Sequence, residues 1–588
     1  MKRHEIQTEL TWDLSALFQD QQAFDQQLED TKQLLQQVMD MKGTIAQSKE
    51  CFISFIETLE TSYRYSNNLV TYASMCTDVD PTNEIAQENL AKASSLINQM
   101  TTGLAFIDNE VIKNKNQITM YLQDEDCKDF RYFISEILRT IPHRLDEASE
   151  ELMAKAEVLA KAPEETFGSF RIEFEPVLVN GKEEFLNGAT YSYFLHHRQP
   201  EVRKQAFEHF NKEYERYQNV FMNTISAHAK GQVFKAETRK FSSALEASLF
   251  EDGADQMLFD KVLYMANEKY HGYVQEYFKL RKEVLQLDVQ HVYDIQLELV
   301  ESVDAAYDID QCFTILDEAL AVLGNDYIEL LHKAKEERWI DFMPCEGKRS
   351  GAYSSGTYDS KPYIMLNYNG NYDSLSTLAH ELGHSMHSYF SNNHNRALNA
   401  NYRIFVAEVA STVNEILLNQ YLLRTCTDKH YKAYILSNLL TQMVGTMYRQ
   451  PMYAQYEADL HEWIQDKKPI SSATLTSHWK CLNEKYYGES VVFDELERYR
   501  CYSIPHFYYN FYVYKYTLGM SVALSFVKRI LSHDVESYRT FLSKGGSQSP
   551  IDELIEAGVD PRADQVYDDA FAFFKETLDE FKECISSK

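Results

Sequence analysis

Along most of the chain apolar residues recur at three- and four-residue intervals, the spacing that lines one face of a helix. From residue 8 to about 165 the pattern runs as successive amphipathic helices with polar caps between them. Asp80-Pro81-Thr82-Asn83-Glu84 closes one helix and opens the next, and Ile141-Pro142-His143 interrupts another. The period changes between Phe174 and Leu186, where Asn180-Gly181 separates two short strand-like runs and predicts a hairpin. Helix resumes at Gln199-Pro200-Glu201, with proline in the first turn, and continues in long segments to about residue 340. Residues 349 to 368 form a second non-helical island. In it Gly351 and Gly356 flank an Ala-Tyr-Ser-Ser run, and Lys361 to Asn367 reads as a strand leading to the next helix. The pattern predicts a mostly α fold with a small sheet, arranged as an N-terminal helical lobe (1–165), a hairpin-containing connection (166–200) and a second helical domain (201–588).

Composition narrows the class. With 588 residues the chain exceeds one ordinary core, and only 20 Gly and 12 Pro leave little material for turns, which favours long helices. A net charge of -31 argues against nucleic acid as a partner, because a phosphate backbone needs a concentrated basic surface. The nine cysteines are scattered without a CxxC pair, so neither a disulfide framework nor a zinc ribbon is expected. No apolar run long enough to span a membrane occurs, and Met1 to Glu5 leads into polar sequence. A cytoplasmic protein without membrane partners is expected.

Chemistry concentrates in His380-Glu381-Leu382-Gly383-His384. Side chains at i and i+4 share a helix face, so two imidazoles can converge on one ion, with Glu381 beside them to take a proton from water. Neutral imidazole ligands point to Zn2+, and a catalytic zinc takes three protein ligands with water in the fourth position. His461-Glu462 and His4-Glu5 serve as internal controls, since each lacks the second histidine and neither should bind metal. Asn371 or Asp373 can cap the motif's helix, and Leu375, Leu378, Ala379, Leu382 and Met386 give it an apolar stripe.

A third ligand must come from elsewhere. Position 390 is Phe, which excludes a third histidine six residues after the second, and His387, one turn beyond His384, is badly placed to help surround an ion. The apolar helical run Ile404 to Glu415 carries two carboxylates seven residues apart, on one face. Glu408 is assigned as the ligand and Glu415 as the acceptor that orients a liganding histidine.

The HELGH motif, the following Phe405-Val406-Ala407-Glu408-Val409-Ala410-Ser411-Thr412 segment and a tyrosine-rich stretch near the C-terminus resemble oligoendopeptidase F, of the thimet-oligopeptidase group of zinc metallopeptidases. Further matching stretches are Arg349 to Tyr353, Ile504 to Tyr512 and Lys544 to Ser547. The resemblance implies a two-lobed, zincin-like fold with a deep substrate channel and the small sheet beside the active-site helix. It implies one Zn2+ ion and oligopeptide substrates, aligned along Gly351, Ala352 and Tyr353. It also implies that His506, Tyr512 and Tyr509 stabilise the oxyanion of the tetrahedral intermediate. The expected activity is a zinc-dependent endopeptidase that cuts inside short peptides. Its rivals are a carboxypeptidase or dipeptidyl-carboxypeptidase, anchored by an arginine such as Arg449, Arg498 or Arg500, and a helical interaction protein with a structural zinc site.

Overall fold

The computed structural model describes residues 1–303 and 305–586. The chain forms two compact units, each assembled from separate stretches: Met1–Pro142, Asp304–Arg424 and Ser525–Val559 in the first, and His143–Val303, Thr425–Leu524 and Asp560–Lys588 in the second. This partition differs from the linear 1–165, 166–200 and 201–588 reading. The first break falls at Pro142, where the helical pattern was already interrupted, and the later ones record long-range packing.

In the first unit the helices Gln21–Asp40, Lys49–Val79 and Glu84–Gly103 pack on one another. Each starts at a side-chain cap, Asp20, Ser48 or Asn83, which accepts an amide N–H of the first turn and so satisfies one of the donors a helix end leaves open. Phe24, Phe52, Phe55, Ile56 and Leu59 are buried in a core that extends on to Phe130 and Ile134. The small sheet consists of β3 (Ile340–Asp341), β4 (Tyr353–Ser355) and β5 (Tyr363–Met365), following the hairpin strands β1 (Val177–Val179) and β2 (Lys182–Glu184) in the chain. β5 lies in the centre, parallel to β3 and antiparallel to β4, which leaves β4 as an edge. Asp341 and Lys348 form an ion pair with both side chains fully buried, joined by Arg3. That pair anchors the sheet.

In the second unit, β1 and β2 pair antiparallel across Asn180-Gly181, both at positive φ (52° and 79°), as a tight hairpin turn requires. The helix Gln218–Thr238 packs on Gln450–Gln465 and Pro200–Arg216, and Asp564–Ser586 packs on Lys429–Val444. Between Val284 and Ile309 the expected helix gives way, among the described residues, to irregular chain with a single 3-10 turn. The buried guanidinium of Arg281 donates to the carbonyls of Asp294 and Leu297, satisfying acceptors that helix would otherwise have paired. Asp294 in turn accepts two hydrogen bonds from the buried Arg203. No helix among the described residues is long and apolar enough to cross a membrane.

Candidate active site

The site is built on two helices of the first unit, Tyr372–His394 and Ile404–Thr425. Asn371 caps the first by accepting from the amide of Ser374, and Leu375, Leu378, Ala379, Leu382 and Met386 are all fully buried. With that face fixed in the core, His380 and His384 turn toward the neighbouring helix. The helices meet closely at Gly383, where a Cβ would sit 2.6 Å from the carbonyl oxygen of Ala410 and from Cα of Ser411. Any larger side chain would push them apart. Asn414 ties the contact by donating to Ala379 O (3.1 Å) while accepting from Tyr327 (2.9 Å).

This approach brings His380, His384 and Glu408 together. The two Nε2 atoms are 3.2 Å apart, and Glu408 Oε2 lies 3.3 Å from His380 Nε2 and 3.4 Å from His384 Nε2. A tetrahedral ion with bonds of about 2.0–2.1 Å separates its ligand atoms by about 3.3–3.4 Å, so the triangle has the dimensions of three zinc ligands. Among the described residues it is the one group of His, Cys, Asp or Glu side chains able to hold an ion, and it has three members. Glu415 Oε2 is 3.3 Å from His380 Nδ1, and its other oxygen accepts from Ser376. With the proton on Nδ1, Nε2 of His380 presents its lone pair to the triangle. Ser411 Oγ donates to Glu408 Oε2 at 3.0 Å.

Electrostatics follow from this crowding. Burial disfavours a charge on His380, yet Glu408 and Glu415 outweigh it and push its pKa up to about 10. The Glu408 side chain is 53% exposed, and although its partial desolvation opposes ionisation, the two imidazoles hold its carboxyl well below the usual range. Glu381 is 6% exposed, and burial raises its pKa against the pull of His380 and His384. His387 is buried, stacked 3.7 Å from Tyr402, and pushed by burial down to about 3, so it is a neutral core residue.

Gly351 and Ala352 lead into the edge strand β4, and Asn367 holds the turn by donating to Gly351 O (2.8 Å). Ser354 Oγ lies 2.8 Å from Ser385 Oγ, which fastens β4 to the histidine helix. The Tyr353 hydroxyl donates to Asp78 (2.9 Å), so its side chain is engaged in packing and its backbone is what the edge offers. Neither serine was singled out from the sequence, where nothing distinguishes them from surface hydroxyls.

His506, Tyr509 and Tyr512 belong to the second unit. The tyrosines of this stretch divide into two sets. Tyr502, Tyr508 and Tyr514 are buried, with hydroxyls bonded to Ser472, Thr224 and Asp252. Tyr509 is 48% exposed, and it, His506, Tyr512 and Tyr516 form a chain of edge-on rings with centroids 5.4 to 6.3 Å apart. Burial lowers the pKa of His506.

Residues 193–573 match the model of peptidase family M3, and residues 114–172 match that of oligopeptidase F. Oligopeptidase PepF of Bacillus subtilis is 35% identical over 99% of this chain and 88% of its own length. An oligoendopeptidase F homolog of Borreliella burgdorferi is 33% identical, covering 99% of each chain. The crystal structure of oligoendopeptidase-F from Enterococcus faecium superposes with a TM-score of 0.74 at 30% identity, over 96% of this chain and 99% of that one. The chain belongs to peptidase family M3, among the oligoendopeptidase F enzymes.

Proposed function

We propose that this protein hydrolyses internal peptide bonds of short oligopeptides, with one Zn2+ held by His380, His384 and Glu408. The observation that carries this is the donor triangle, whose 3.2 to 3.4 Å edges suit a tetrahedral ion and whose three members leave a position for water. A structural site would be closed by a fourth protein ligand. When bound, the ion polarises the scissile carbonyl and makes water acidic enough to attack near neutral pH.

The chain's own residues supply the remainder. Glu381 takes a proton from the attacking water as the new C–O bond forms, then passes it to the amide nitrogen as the C–N bond breaks. Glu415 keeps His380 in one tautomer and orientation. The backbone from Gly351 to Tyr353 aligns the peptide as an added strand along β4, through main-chain hydrogen bonds indifferent to side-chain identity. His506, with Tyr512 and Tyr509, donates to the developing oxyanion, a role supported by the similarity of residues 504–516 to oligoendopeptidase F. Nine cysteines, none of them in a disulfide, suit a reducing compartment and support the cytoplasm as the place of action.

The test compares wild type with Glu381→Gln on an internally quenched peptide of about eight residues, a length a cleft of ordinary size can hold. Wild type should cut at an internal bond, while the variant keeps its zinc and loses most of its kcat. Removal of only C-terminal residues or dipeptides would instead favour a carboxypeptidase.

A further inference from the structure

The segment carrying His506, Tyr509 and Tyr512 contains two consecutive non-glycine residues in the left-handed region, Asn510 at φ 51° and Phe511 at φ 55°. Asparagine adopts this conformation readily, but for a bulky aromatic it is an outlier that persists only where its surroundings enforce it. Phe511 is also 1% exposed. The strain therefore sits in the core of the second unit, in the turn joining the 3-10 segment Pro505–Tyr508 to the helix Tyr514–Leu531.

Three side chains from three other elements enforce the turn. Glu457, 1% exposed on the helix Gln450–Gln465, accepts from the amide of Phe511 through Oε1 at 2.8 Å. His228 Nε2 lies 3.0 Å from Asn510 Oδ1, and Ser248 Oγ donates to Asn510 O at 2.8 Å. The Phe511 ring packs 4.6 Å from His461. The flanks are pinned as well, by Tyr508 to Thr224 and Tyr514 to Asp252. Between the pins lie Tyr509 and Tyr512, and the Tyr509 ring meets that of His506, just before the first pin, at 5.7 Å.

We infer that Glu457 and His228 are positioning residues for peptide hydrolysis, holding the strained Asn510-Phe511 turn that aims Tyr509 and Tyr512 beside His506. The inference rests on the reading of those three as oxyanion donors. A buried carboxylic acid spent on one backbone amide is otherwise hard to explain, because its second oxygen has no hydrogen-bond partner among the described residues. Burial pushes the Glu457 carboxyl up to about 8, so near neutral pH it is an uncharged acceptor and glutamine is its isostere.

The test measures kcat, KM and bound zinc for Glu457→Gln and Glu457→Leu. Glutamine keeps the acceptor and should stay within about twofold of wild type in kcat. Leucine frees the turn and should lower kcat by about tenfold to a hundredfold, the range that a displacement of about 1 Å at a reacting centre produces, with KM little changed and zinc still stoichiometric. If Glu457→Leu does not fold, His228→Leu carries the same expectation through its contact with the Asn510 side chain. Wild-type kcat in a folded leucine variant, alongside a large loss in Tyr512→Phe or His506→Ala, overturns this inference alone. Wild-type kcat in both of those comparison variants overturns the oxyanion reading beneath it as well.

Discussion

Replacing Gly383 by alanine tests how far the metal site depends on the contact between its two helices. The added Cβ would stand 2.6 Å from Ala410 O and Ser411 Cα, about 0.8 Å short of the 3.4 Å at which ordinary van der Waals contact begins. Both are backbone atoms, so relief requires the helices to separate. A shift of that size would stretch the His–Glu edges of the triangle from 3.3 and 3.4 Å to about 4 Å, beyond the roughly 0.2 Å tolerance of zinc bonds. The metal-free protein can relax in this way, whereas the loaded one must keep the triangle closed, so the strain appears as lost affinity. Overpacking of this kind costs about 1–3 kcal/mol. At 1.4 kcal/mol per tenfold, zinc should bind about 5 to 150 times more weakly. Competition against a chromogenic chelator measures this directly, and excess zinc should restore activity. An affinity within twofold of wild type would show that the close approach at Gly383 does not set the ligand spacing.

Other consequences can be tested separately. Glu415→Gln should retain the fold but weaken zinc about 10- to 100-fold, because His380 loses the carboxylate facing its Nδ1; unchanged affinity by the same competition would remove Glu415 from the site. Asp294→Leu strands the buried guanidinium of Arg203 and should destabilise the protein by about 3–5 kcal/mol in urea titrations, far more than an exposed pair such as Lys155–Glu151 would. Glu553 is 2% exposed, and burial raises its pKa to about 9. The folded state then binds a proton that the unfolded chain releases near pH 4.5, so this contribution is complete below about 4.5 and lost as pH rises toward 9. Stability should therefore fall between pH 7 and 9 in wild type and fall less in Glu553→Gln; parallel urea midpoints across that range would contradict it.

What the sequence made legible was local. The HExxH pair needs only the helical repeat, and Glu408 and Glu415 stood out as carboxylates in an apolar run, the signature of groups with partners. The hairpin was readable because Asn180-Gly181 is a turn signal in itself. Features that depend on distant partners were not readable. Gly383 looks like any helical glycine until the backbone of Ala410 and Ser411 stands against it. The six tyrosines between 502 and 516 are alike in sequence, and only the positions of Thr224, Ser472 and Asp252 separate those anchored in the core from the more exposed set. The strained Asn510-Phe511 turn likewise carries no glycine to announce it. The two units interleave for the same reason, since residues 1–142 find their packing partners after residue 304.

The central claim is that one zinc ion sits between His380, His384 and Glu408 with a position left open. Anomalous diffraction at the zinc edge from crystals of the purified protein tests it most directly. The account predicts a single peak within bonding distance, about 2.0–2.2 Å, of His380 Nε2, His384 Nε2 and Glu408 Oε2, with water as the remaining ligand. A fourth protein ligand, or a zinc peak elsewhere in the molecule with none at this triangle, would contradict it.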